Sequence, residues 1–219
     1  MFEEMFQYLD SYFQMHGGND CGLKNQSFRL RTEHTRRVFA WLGHLIEENP
    51  PAAIRKEELF TACIFHDIGY TLGKENHAKH SSVIFREYAK ENGFGSEQTD
   101  YICHLIAAHS DKERLGESDT PYELVLLMEA DMLDEEGALS ILLDAMAEGK
   151  RAKCSYKGVY ERLQKYPVKI LEYNPMVTSA GKRFWQEKQE LVQLFMKHLN
   201  RDLDGSIRIS DQKENHRMD

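Results

Sequence analysis

The stretch Cys63-Ile64-Phe65-His66-Asp67-Ile68-Gly69-Tyr70 sets a histidine and an aspartate side by side inside an otherwise apolar run. Packing alone does not account for that pair. Aspartate goes fully buried almost only when it is paired or bound to a metal. Two metal-ligand residue types next to each other, at the end of what reads as a core helix, suggest part of a coordination shell. The remaining ligands then have to come from elsewhere in the chain.

Helical phase supplies candidates, because side chains three, four or seven residues apart share a helix face. His34 lies four after Leu30 and four before Val38. His66 follows Leu59 and Cys63 at seven and three. His109 follows Ile102, Leu105 and Ile106, and Asp131 follows Leu124, Leu127 and Met128, each set at spacings of seven, four and three. His77 precedes Ser81, Ile84 and Tyr88 at four, seven and eleven. Five segments thus each carry one His or Asp on an inward face, and Asp67 adds a sixth group. A single histidine on an apolar face is more often a hydrogen-bonded core residue than a ligand. Burying six ionisable groups together costs several kcal/mol each unless something compensates, and a metal does.

The donor set is nitrogen and oxygen without thiolate. It suits Mn, Fe, Zn or Mg, undistinguished from one another, and not a cysteine zinc site. Four groups would hold one ion; six would hold two, with Asp67 as the bridge. His104 falls on the opposite face from Ile102, Leu105 and His109 and reads as surface or as a support behind the ligands. His16, His44, His198 and His216 belong to no constellation. His80, three after His77, is ambiguous, and Asp134, three after Asp131, reads either as a support for the site or as a solvated helix end.

The rest of the chain is consistent with an all-α fold. With 219 residues, 41% of them hydrophobic, it suits one large domain with a real core. No strand alternation, repeat or low-complexity linker interrupts it. Helices are expected at about 2–13, 27–48, 55–68, 78–91, 97–110, 121–133 and 137–147. A stripe of Tyr156, Val159, Tyr160 and Leu163 should stop at Pro167, and another, with Phe184, Leu191, Leu194 and Phe195, should end near Leu203. The expected organisation is one helical domain over 1–203, with a metal-binding core near 27–135, a C-terminal helical part near 137–203, and a frayed polar tail at 204–219. The amphipathic first helix could cover its own core or a second copy, leaving a homodimer open.

The net charge of −8 disfavours a nucleic-acid partner recognised by phosphate neutralisation. It leaves room for a small anionic substrate at a metal. No run approaches the roughly 20 apolar residues of a membrane span. Acids at Glu3 and Glu4 replace the basic start of a signal peptide. Cys21, Cys63, Cys103 and Cys154 form no CxxC pair, so reduced thiols in a cytoplasmic protein are expected.

The ordered set His34, His66-Asp67 and Asp131 resembles the H…HD…D motif of the HD-domain metal-dependent phosphohydrolases. The wider stretches His34-Thr35-Arg36-Arg37-Val38, His66-Asp67-Ile68-Gly69, Ala107-Ala108-His109-Ser110, Glu129–Ala138 and Met176–Lys182 resemble the small bacterial single-domain members. That resemblance implies a multi-helix HD bundle with additional C-terminal helices. It also implies His34, His66, Asp67 and Asp131 as ligands, with His77 and His109 as the extra histidines of two-metal members. Tyr70 stands where the cyclic-dinucleotide branch usually has Lys, which argues against that substrate. The implied activity is hydrolysis of a phosphoester or phosphoanhydride in a small phosphorylated substrate, such as a nucleotide. His66 and Asp67 form its catalytic centre, and Arg37, Lys74 and His80 are candidates for the phosphate. Two other readings share the donor set: a di-iron HD-type oxygenase and a non-catalytic metal- or nucleotide-binding module.

Overall fold

The computed structural model describes residues 1–20, 30–48, 50, 53–134 and 136–204. Ser27, Cys21 and all of the expected tail but Asp204 lie outside them. The described chain is helical without strands: α1 (Phe2–His16), α2 (Arg31–Glu48), α3 (Lys56–Phe65), α4 (His77–Glu91), α5 (Ser96–Ala108), α6 (Tyr122–Leu133), α7 (Ala138–Gly149), α8 (Tyr156–Leu163) and α9 (Ser179–Leu203). No described helix is long and apolar enough to cross a membrane.

Two helices form the centre. Every residue of α3 from Leu59 to Phe65 is buried, and so is every residue of α6 from Glu123 to Ala130. A helix that is apolar all round has no solvent face to keep and belongs inside. The amphipathic helices wrap these two. α2 packs on α6 and α3, α5 on α3 and α4, and α1 on α3. Met5, Phe6, Leu9 and Phe13 of α1 are all buried in this chain's own core, each contributing about 1.5–3 kcal/mol of apolar burial. The C-terminal helices add a second layer, with α8 on α7 and α9 on α6.

α3 stops three residues earlier than its apolar pattern suggests. The His66 ring nitrogen Nδ1 lies 2.6 Å from the Cys63 carbonyl oxygen, which an α-helix would give to a following backbone N–H. The chain then tightens into a 3₁₀ turn over Ile68–Leu72. His66 and Asp67 therefore sit just past the end of a central helix, at the middle of the molecule. Pro167 likewise does not stop its helix. A π-helical turn over Gln164–Val168 absorbs it, and helix resumes after it; the wider turn relieves the clash between the proline ring and the preceding carbonyl. Of the cysteines, Cys63 and Cys103 are buried thiols and Cys154 is exposed.

Gly69 fixes where α4 lies. A Cβ there would meet the His77 carbonyl oxygen and come within 2.5 Å of the Ser81 amide nitrogen. The Gly69 N–H donates to the buried Ser81 hydroxyl at 2.8 Å. Gly69→Ala would have to push the first turn of α4 outward. It is expected to lower stability by about 3 kcal/mol, read as the urea midpoint; an unchanged midpoint would mean that this contact does not seat α4.

Candidate metal centre

The ends of five helices meet at Asp67. One carboxylate oxygen, Oδ2, lies 3.5 Å from His34 Nε2 and 3.6 Å from His66 Nε2. The other, Oδ1, lies 3.4 Å from His77 Nε2 and 3.5 Å from His109 Nε2. Asp131 Oδ1 closes the first group, 3.2 Å from His34 Nε2 and 3.9 Å from His66 Nε2. Asp67 is therefore shared by two sets of donors, His34-His66-Asp67 and Asp67-His77-His109, each compact enough for an ion. Of these six side chains, helical phase points to five; Asp67, which joins the two halves, is marked instead by its place beside His66.

The orientation of the rings is set from outside the cluster. His66 Nδ1 faces the Cys63 carbonyl at 2.6 Å, His109 Nδ1 the Ile106 carbonyl at 2.7 Å, and His77 Nδ1 the Lys74 carbonyl at 3.2 Å. Each carbonyl belongs to the residue three positions earlier. His34 Nδ1 instead faces Asp134 Oδ2 at 2.6 Å. A carbonyl oxygen only accepts, so Nδ1 carries the proton in these three rings and the Nε2 lone pair points to the centre; the tautomers follow from this network. That is the arrangement in which a ligating histidine is held. Asn76, at φ 57° the one non-glycine residue with left-handed backbone among the described residues, turns the chain immediately before His77; asparagine tolerates that region better than most residues.

Three supporting residues were not found by helical phase. Arg31 Nη1 donates to Asp67 Oδ2 at 2.8 Å, and its guanidinium lies 3.9 Å from the centre of the Tyr70 ring, which also packs on His77. Lys112 Nζ donates to Asp131 Oδ2 at 2.6 Å, leaving Oδ1 turned to the cluster. Asp134, left open from the sequence, is buried and supports the site through His34. Arg31 has a signal in hindsight, since it precedes His34 by three on the same face. Lys112 has none, because it lies in the irregular 3₁₀ turn Lys112–Gly116.

The three phosphate-contact candidates lie elsewhere. Arg37 donates to both oxygens of Asp134, at 2.8 and 2.9 Å, and lines a separate hollow with Trp41, His44 and Lys188. It bears on the site through Asp134. The Lys74 side chain is exposed, and its contribution is the carbonyl that His77 faces. His80 is half-buried with Nδ1 unpaired, packed against Gly69. None of the three lines the cleft that reaches the cluster. That cleft, of about 380 Å³, is bounded by Arg31, His34, Asp131 and Asp134 on one side and by α7, α8 and the π-helical turn on the other.

The electrostatics keep the carboxylates of the cluster ionised. Burial would raise the Asp67 pKa, but His66, His109, His34 and Arg31 together hold its carboxyl well below the usual range. Lys112 and His34 overcome burial in the same way at Asp131. Desolvation pushes His66 down to about 4 and also lowers His77. His34 goes the other way: burial opposes its charge, yet hydrogen bonds to Asp131 and Asp134 raise it to about 10. In the metal-free protein, then, a proton on His34 Nε2 stands between carboxylate oxygens where an ion would go. The donor set fits one or two divalent cations.

Two pH dependences follow. The raised His34 value stabilises the metal-free fold fully below 6.5, and that contribution is lost as pH rises through about 10. The lowered His66 value works oppositely, contributing above 6.5 and failing as pH falls through about 4. Ion uptake near pH 7.5 should displace about one proton, from His34. Titrating metal into lightly buffered protein with a pH indicator checks this. Uptake without proton release, at an affinity constant from pH 7 to 9, would contradict it.

Comparisons with known proteins agree with this geometry. The HD domain family matches residues 31–136. No curated protein matches the chain. Among solved structures, Bacillus subtilis YpgQ in complex with ADP superposes with a TM-score of 0.63 at 18% identity, covering 93% of this chain and 95% of that one. A predicted HD superfamily hydrolase from an uncultured Thermotogales bacterium gives a TM-score of 0.60 at 16% identity, covering 91% of each chain. The Lin1889 protein of Listeria innocua gives 0.58 at 16% identity, covering 94% of this chain and 98% of that one. At such identities the likeness establishes the fold.

Proposed function

Because this chain is an HD-domain protein, with the HD domain at residues 31–136, we propose that it is a metal-dependent phosphohydrolase that cleaves a phosphoester or phosphoanhydride bond in a small phosphorylated substrate, a nucleotide in the first instance. The observation that carries this reading is the convergence of four histidine Nε2 atoms on the two oxygens of Asp67. His34, His66, Asp67 and Asp131 would hold one ion, and His77 and His109, with the other oxygen of Asp67, a second. Such an ion supplies hydroxide at neutral pH and polarises a phosphoryl oxygen. Residues 1–203 would then act as one HD-type helical domain.

The side chains have distinct tasks in that scheme. Asp67 and His66 hold the centre: Asp67 is 5% and His66 0% exposed at the side chain. Asp131, at 21%, is the open edge of the first donor set and faces the cleft, so substrate approaches past it. Its Oδ1 would ligate the first ion at that edge, while Lys112 keeps Oδ2 occupied. Arg31, also on the cleft, replaces Arg37 as the cation nearest the reacting phosphoryl group. The relative of the same fold that binds ADP supports a nucleotide substrate.

The test is metal analysis of gently purified protein, paired with a phosphate-release screen over nucleoside mono-, di- and triphosphates and model esters. Bound divalent metal and turnover abolished by chelation are expected; full turnover without metal would sink the proposal. The shared Asp67 would equally suit two irons. Iron colour with oxygen consumption, in place of phosphate release, would transfer the site to the oxygenase reading.

A further inference from the structure

The cleft extends well beyond the cluster, and its far wall is built to a pattern that a bare phosphate does not need. A volume of about 380 Å³ is in the range of sites that take a whole small organic ligand. The wall opposite the cluster comes from the π-helical turn Gln164–Val168 and its flanks. That turn breaks the α-helical register and brings Tyr166, Pro167 and Ile170 together onto the cleft; π-turns inside helices recur at functional sites. Tyr166 is 39% and Ile170 50% exposed, so the wall offers open apolar surface.

Beside this surface stands a fixed cation. Asp144, on α7, is buried and accepts a hydrogen bond from Arg162 Nε at 2.6 Å. The guanidinium lies 4.9 Å from the centre of the Tyr166 ring. Arg162 itself is 30% exposed and lines the cleft. Its Nε is spent on Asp144, while its two Nη groups make no protein hydrogen bond among the described residues. A buried carboxylate locking a cleft arginine by one nitrogen pre-orients the rest of its fork for a ligand. The other charged side chains of that wall, Glu136 and Asp144, are acids, so Arg162 is its cationic point.

We propose that this wall is a nucleoside subsite: an aromatic base rests against Tyr166 and Ile170, and Arg162, held by Asp144, hydrogen-bonds a phosphate oxygen away from the reacting group. This rests on the phosphohydrolase reading for the cluster, but it is tested by binding, separately from turnover.

The experiment is calorimetric titration of the full chain in Mn²⁺ buffer with two probes. One is adenosine 5′-(α,β-methylene)diphosphate; the other is methylenediphosphonate, the same charged group without the nucleoside. Tyr166→Ala should weaken the nucleotide analogue about tenfold, as loss of a base-stacking partner does, and leave methylenediphosphonate within about twofold. Tyr166→Phe should restore nucleotide affinity. Arg162→Gln should weaken both probes about fivefold to tenfold, with far-UV circular dichroism confirming folded variants. Three outcomes overturn the subsite: no binding of the nucleotide analogue by the native protein, native-like nucleotide affinity in Tyr166→Ala, or equal loss of both probes in that variant. Binding as expected, with no phosphate released from any nucleotide, instead refutes the hydrolase reading and leaves the subsite standing.

Discussion

Asp67→Ala is expected to reduce bound metal below detection and to cut phosphate release by on the order of 10³-fold or more, the share of catalysis that a metal ion's several kcal/mol represents. The reason is the division of its carboxylate. Oδ2 completes the donor set with His34 and His66, and Oδ1 the set with His77 and His109. Other substitutions weaken one half; this one opens both. Helix content should change little, because Asp67 lies between α3 and the 3₁₀ turn, and the one bond it gives the turn, from the Tyr70 N–H to its carbonyl, is made by the backbone that alanine keeps. Lys112→Ala is the informative contrast. It removes no metal ligand and frees Asp131 Oδ2 together with the Met128 carbonyl, which Lys112 meets at 3.4 Å, so a 10- to 100-fold loss of metal affinity or activity is expected, as for other residues that orient ligands. Metal analysis, circular dichroism and phosphate release on the two variants check the pattern. A metal-free Asp67→Ala protein with full activity would remove the cluster from the chemistry.

How much of this was legible in the sequence depends on the range over which each feature is decided. His34, His66, His77, His109 and Asp131 were found because their inward direction is set by neighbours within two turns. What each ring touches is decided over far greater separations. Arg31 meets Asp67 across 36 positions and Arg37 meets Asp134 across 97. No local pattern distinguishes the cation that lines the cleft from the one spent on Asp134. The cleft wall was misread for another reason. Pro167 after a helical stripe is a sound stop signal in an α-register, and only the wider π-turn lets the chain pass it. Likewise α3 ends at Phe65, because the His66 side chain captures the carbonyl that helix continuation would need. A histidine at the centre of the cluster is thus also the residue that breaks the local rule.

Glu129→Ala is expected to cost about 4 kcal/mol of stability while leaving the metal centre intact in the molecules that remain folded. Glu129 is fully buried in α6. Its Oε1 accepts the Val177 N–H at 2.6 Å and the Thr178 N–H at 2.8 Å, and its Oε2 accepts the Thr178 hydroxyl. Thr178 in turn caps α9, accepting the Gly181 N–H at 2.9 Å. Gly181 has no side chain because the Glu129 carboxylate occupies that space. One carboxylate thus ties the start of a 25-residue helix to a central one, and the sequence stretches around Glu129 and Met176–Lys182 meet at this contact. Deleting it strands the part-buried Val177 N–H and two buried donors of Thr178, the latter costing about 1–3 kcal/mol each when unpaired. Glu129→Gln should recover part of the loss, since the amide oxygen still accepts while its NH₂ group confronts donors. Urea unfolding followed by circular dichroism reads the stability, and metal content at low denaturant reads the site. The expected pattern, low stability with native metal content, is the inverse of that for Asp67→Ala. Metal lost at native stability would instead make Glu129, two residues before Asp131, part of the catalytic centre.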